Sequence, residues 1–185
     1  CHHVSAVNFE KILKYANAKY VYGLTATPTR QDGHHPIIFM QCGPIRYRVD
    51  AKAQADKREF EHYIIPRFTS FRSISDDNIT TLYKKLSDDA MRNNLIVNDV
   101  VSAIKNGRTP IILTERREHV AMLAELLKPC CDNVIEIVGT TSAKSRRETL
   151  ERLDNIPQEE SLVVVATGRY VGEGFDYPRL DTLFL

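Results

Sequence analysis

At 185 residues, 43% of them hydrophobic and 26% charged, the chain has the make-up of a folded globular protein, which excludes the disordered and fibrous classes. Its 25 basic and 24 acidic residues leave a net charge of +1, so no overall field draws it to nucleic acid or a membrane, and any phosphate contact must be local. No apolar run reaches the ~20 residues that span a bilayer and no signal-peptide pattern opens the chain, so an intracellular, cytoplasmic protein is expected.

The four cysteines, Cys1, Cys42, Cys130 and Cys131, form no CxxC pair, so reduced thiols are expected. Cys1-His2-His3 has no second ligand cluster to complete a metal site, and no metal is assigned. The chain has no initiator Met and stops at Leu183-Phe184-Leu185 inside a strand-like run, which reads as a fragment.

In chain order, Phe9, Ile12, Leu13 and Ala16 lie at helical spacing and predict an amphipathic helix over 5–18 with Ser5 as N-cap. Lys19 to Thr25, KYVYGLT, predicts a strand ending in the loop Ala26-Thr27-Pro28-Thr29. Pro36 to Gln41, PIIFMQ, predicts another short strand before Cys42-Gly43-Pro44. Residues 46–89 mix charges of both signs around one strand-like run, Tyr63-Ile64-Ile65, and read as a connecting region with a short helix over 78–86. A firmer helix over 89–106 carries Leu95, Ile96, Val100, Val101 and Ile104 on one face, with Gly107 closing it.

A regular alternation follows. Pro110 to Thr114 predicts a strand; Val120, Leu123, Ala124 and Leu127 predict a helix that Pro129 ends; Asn133 to Val138 is the next strand and 143–153 the next helix. Leu162 to Ala166, LVVVA, is short and rich in β-branched residues, as a central strand covered on both faces would be. Such βαβα alternation with short connections predicts an α/β fold with an open parallel sheet and flanking helices.

Four polar loops then fall at C-terminal strand ends: Thr25-Ala26-Thr27, Thr114-Glu115-Arg116-Arg117, Gly139-Thr140-Thr141-Ser142, and Thr167 to Asp176. Hydroxyls and bare amides there suit phosphate oxygens, although for any one loop the plainer reading is that Thr and Ser cap the following helix. Glycines past Thr167 allow a tight turn and close approach of the backbone to a ligand. No GxxxxGK[ST] loop is present, Gly172-Glu173-Gly174 lacks the third glycine of a dinucleotide fingerprint, and no GxSxG elbow supports hydrolase chemistry.

Leu24-Thr25-Ala26-Thr27-Pro28-Thr29-Arg30-Gln31-Asp32-Gly33 resembles motif III and its extension in superfamily 2 DEAD/DEAH-type helicases, in the branch of excision-repair helicases and type I and III restriction-enzyme motors. Cys1-His2 resembles the end of a DECH-type Walker B box, Ile111 to Thr114 motif IV, and Ala166-Thr167-Gly168 through Gly172-Glu173-Gly174-Phe175-Asp176 motif V. The resemblance implies a RecA-like fold: residues 1–45 the C-terminal edge of a first lobe, 46–89 a linker, and 90–185 most of a second lobe stopping before motif VI.

It also implies roles. His2 would link the nucleotide site to the Thr25 loop, and Thr25 and Thr27 would relay hydrolysis to the strand. Gly174 and Asp176 would lie near the nucleotide, while Thr114, Arg116, Thr167 and Gly168 would face nucleic acid, DNA ahead of RNA. Arg30, Arg146 and Arg147 read equally well as solvated charges. ATP and Mg2+ would serve the intact protein. The phosphate-binding lysine, metal carboxylate, catalytic Glu and arginine finger all fall outside 1–185, so the chain alone is expected to hydrolyse nothing. The rivals are a non-motor nucleic-acid-binding or interaction module on the same fold and, more remotely, a doubly wound nucleotide-sugar enzyme.

Overall fold

The computed structural model describes residues 4, 6–26, 33, 35–50, 61–73, 77–139, 143–168, 171 and 175–185. The chain divides into two compact units, Cys1–Ile65 and Pro66–Leu185. No helix among the described residues is long and apolar enough to cross a membrane.

The first unit holds helices α1 (Val7–Tyr15) and α2 (His35–Cys42). Helix α1 starts two residues later than expected, from Ala6 in extended geometry with no side-chain cap; Ser5 lies outside the described residues. The predicted strand over 36–41 is instead helix α2. Six apolar residues in a row fit a strand and a helix equally. The flanks decide: Pro36 sits in the first turn, where its missing N–H costs nothing, and Gly43, at φ 79°, closes the last turn with its N–H on the Phe39 carbonyl at 2.9 Å. The strands expected at Lys19–Thr25 and Tyr63–Ile65 are also absent. β-Branched and aromatic residues stabilise a strand through their cross-strand neighbours, and no described strand pairs with either segment.

The second unit follows the expected pattern. Helix α3 (Ile79–Asp88) begins where the Asn78 side chain accepts the Thr81 N–H at 2.8 Å, and α4 (Ala90–Lys105) where Asp89 accepts the Arg92 N–H at 2.7 Å. Gly107, at φ 73°, ends α4 with paired bonds from its own N–H to Ile104 and from Arg108 to Ala103. Strand β1 (Pro110–Thr114), helix α5 (Arg117–Leu127), strand β2 (Asn133–Ile137), helix α6 (Ala143–Asp154), strand β3 (Leu162–Thr167) and strand β4 (Thr182–Phe184) complete it.

All strand pairs are parallel, in the order β2-β3-β1-β4, so β3 is internal as its unbroken apolar run implied. Its side chains alternate between two cores. Val163 and Val165 pack with Val100 of α4 and with Val120, Leu123, Ala124 and Leu127 of α5. Leu162, Val164 and Ala166 pack on the opposite face with Leu150 and Leu153 of α6 and with Val171, Phe175, Tyr177 and Leu180. Each fully buried Val or Leu contributes about 1.5–3 kcal/mol, so both faces of the central strand hold the unit together. The segment after β3 is tied down as well: Arg179 donates to the carbonyls of Ile156, Pro157, Gln158 and Glu160, and the Tyr177 hydroxyl to Leu153.

Candidate functional site

Strands β1 and β3 are neighbours, yet the chain leaves their C-terminal ends toward opposite faces of the sheet. The chain after β1 enters α5 on one core; the chain after β3 runs through Val171 and Phe175 onto the other. In open parallel sheets, the strand ends at which connections diverge in this way are where ligands bind. The residues at these strand ends are Thr114 and Thr167, which face each other in register, and Gly168, whose N–H donates to the Thr114 carbonyl at 3.2 Å.

Thr114 does not cap the following helix. The N-cap of α5 is Arg116, with no side-chain bond. The Thr114 hydroxyl instead lies 2.8 Å from His119 Nδ1, and His119 Nε2 lies 2.9 Å from Asn93 Oδ1. The Asn93 amide nitrogen donates to the Ser87 carbonyl at 2.7 Å, so its oxygen must face the imidazole. Nε2 therefore carries the ring proton, Nδ1 is an acceptor, and the Thr114 hydroxyl is the donor. His119 and Asn93 are only 3% and 2% exposed. Burial, reinforced by the nearby Arg92 charge and opposed by Asp88, pushes the imidazole down to about 4, so it is neutral at pH 7. Because Ser87 belongs to the last turn of α3, Asn93 also satisfies one of that helix's orphan carbonyls.

Thr167 is the opposite case. It is 8% exposed, and its hydroxyl has no hydrogen-bond partner among the described residues. A buried hydroxyl without a partner in the fold is uncommon and keeps its hydrogen available to a ligand. Gly168 is not at positive φ, so the turn itself does not demand glycine; a Cβ there would lie 3.6 Å from the Glu115 carboxylate, in ordinary contact. The Arg116 guanidinium is partly exposed and 3.8 Å from Glu118, a loose pair that leaves it able to meet an anion.

The remaining expected residues divide between the units. Thr25 lies in the first unit, partly buried, while His2, Thr27, Arg30 and Gly174 lie outside the described residues. Phe175 and Tyr177 point into the core, which turns the intervening Asp176 outward, exposed and unpaired among the described residues. Arg147 makes an exposed pair with Glu151 at 3.5 Å, as a solvated charge would, and nothing is described of the Arg146 side chain. Sequence reasoning missed His119 and Asn93. Their signal was polarity on an apolar stripe: His119 stands four residues before Leu123, and Asn93 four before Val97.

No family model matches the chain. It is 25% identical over 179 residues to the transcript termination protein A18 of Fowlpox virus (strain NVSL), a match covering 94% of this chain and 38% of that protein. With the protein of the same name from Cowpox virus (strain GRI-90 / Grishak) the identity is 29% over 196 residues, 95% of this chain and 36% of that one. Among solved structures, T4 UvsW aligns at a TM-score of 0.48 and 15% identity over 59% of this chain and 22% of its own. The chain thus spans little more than a third of the length of the curated relatives it matches.

Proposed function

We propose that the chain is part of an ATP-dependent nucleic-acid helicase or translocase, with residues 1–45 at the edge of one RecA-like lobe, 46–89 linking, and 90–185 forming most of a second. The observation that carries this reading is the pair of adjacent strand ends of β1 and β3, where the buried Thr167 hydroxyl has no partner among the described residues and the Arg116 guanidinium is partly exposed. A hydroxyl and a cation at strand ends suit the sugar-phosphate backbone, and backbone contacts carry no sequence information, as movement along a strand requires. The viral relatives, named as transcript termination proteins, support a nucleic-acid partner.

In this proposal ATP and Mg2+ serve the intact protein. Asp176 presents an exposed carboxylate, unpaired among the described residues, that would accept from a ribose hydroxyl; a lone carboxylate does not hold a triphosphate, so its role is limited to flanking the nucleotide. Thr25, Thr27 and His2 are assigned to coupling, and the chain alone is expected to be inactive. The test is the ATPase rate of the intact protein with and without single-stranded DNA or RNA. Stimulation by either polymer is expected; a rate indifferent to both would overturn the proposal in favour of a binding module.

A further inference from the structure

We propose that Thr114 meets the polynucleotide as a hydrogen-bond acceptor, and that the group it accepts from is a ribose 2′-hydroxyl, making RNA the preferred track. The inference rests on the proposed function, because it requires a strand to lie across the ends of β1 and β3.

A threonine hydroxyl has one hydrogen and two lone pairs. At Thr114 the hydrogen is committed to His119 Nδ1. The imidazole cannot release it by changing tautomer, because Nε2 must keep its proton to reach Asn93 Oδ1. Asn93 cannot turn over either: its amide nitrogen is held by the Ser87 carbonyl at 2.7 Å, where an oxygen would face an oxygen. One arrangement satisfies every group in the chain Thr114, His119, Asn93 and Ser87, and it leaves Thr114 only lone pairs to present. Neutrality of His119 keeps that arrangement at physiological pH.

An acceptor is selective on a nucleic-acid backbone. Phosphate and ring oxygens also only accept, so a DNA backbone offers Thr114 no donor and its phosphates repel the lone pairs. RNA adds one donor per nucleotide, the 2′-hydroxyl. Thr167 complements this: its hydroxyl hydrogen has no acceptor among the described residues and can go to a phosphate oxygen. As register partners on adjacent parallel strands, spaced about 4.8 Å apart, the two threonines match a neighbouring sugar and phosphate. His119 and Asn93 are then positioning residues that set the polarity of Thr114 without touching the strand.

The experiment is equilibrium binding of the intact protein to one sequence as single-stranded RNA, DNA and 2′-O-methyl RNA, which keeps the RNA sugar shape but has no 2′ donor. RNA should bind about fivefold more tightly than both others, the worth of one neutral hydrogen bond. Thr114→Val should erase the difference and Thr114→Ser retain it. His119→Leu, which releases the Thr114 hydrogen, should bring DNA affinity up toward that of RNA. Equal affinity of the wild type for RNA and 2′-O-methyl RNA would overturn the inference and leave the proposed function standing, as would a preference that survives in Thr114→Val. Absence of binding to all three polymers would overturn the proposed function and this inference with it.

Discussion

Thr114 and Thr167 are chemically identical, face each other in register, and end adjacent strands of one sheet, yet their hydroxyls have opposite fates. The first gives its hydrogen to a buried histidine and keeps only lone pairs to present. The second is buried, with no hydrogen-bond partner among the described residues. Location at a strand end therefore does not by itself decide what a threonine can offer a ligand: a hydroxyl whose hydrogen the fold has used can only accept, whereas one whose hydrogen is left over can donate.

The contrast predicts different responses to removal of polar groups. Asn93→Ala should have the largest effect, since it strands both the His119 ring N–H and the Ser87 carbonyl in the interior; a loss of about 2–3 kcal/mol is expected in chemical denaturation of the intact protein. A loss under about 0.5 kcal/mol would mean that the network contributes nothing to the fold.

Next comes pH. The unfolded chain binds a proton at His119 near pH 6.5, whereas the folded one does so only near 4, so the unfolded state holds more protons between those values. The stability this group contributes is complete above pH 6.5 and is lost as pH falls toward 4, by an amount on the order of 3 kcal/mol. Carboxylates titrate in the same range, so the measurement is the wild-type pH profile minus that of His119→Gln. A flat difference between pH 6.5 and 4 would rule out the buried neutral imidazole.

The smallest and most telling pair is Thr114→Val against Thr167→Val. The first leaves His119 Nδ1 unpaired and should cost about 1–2 kcal/mol; the second replaces an unpartnered buried hydroxyl with a methyl group and should be neutral or stabilising by about 0.5 kcal/mol. Equal destabilisation by both variants would show that Thr167 is structural too.

Elements were legible from sequence where their neighbours lie close along the chain. In the second unit, the β-branched run at 162–166 and the stripe Val120, Leu123, Ala124 and Leu127 became β3 and α5, because each βαβ unit brings its own packing partner. In the first unit, PIIFMQ and KYVYGLT had the composition of strands but no described strand to pair with, and the Pro36 and Gly43 flanks turned one of them into a helix.

That Thr114, Arg116, Thr167 and Gly168 lie at or just past the ends of apolar strands could be read from the chain. The direction of their hydrogen bonds could not. Asn93 and Thr114 are 21 positions apart and His119 lies on a third element, so only packing of α4 and α5 against the sheet brings their polar atoms within 3 Å. Periodicity assigns a side chain to a face, but the donor or acceptor character of a buried hydroxyl depends on which groups the tertiary structure places beside it.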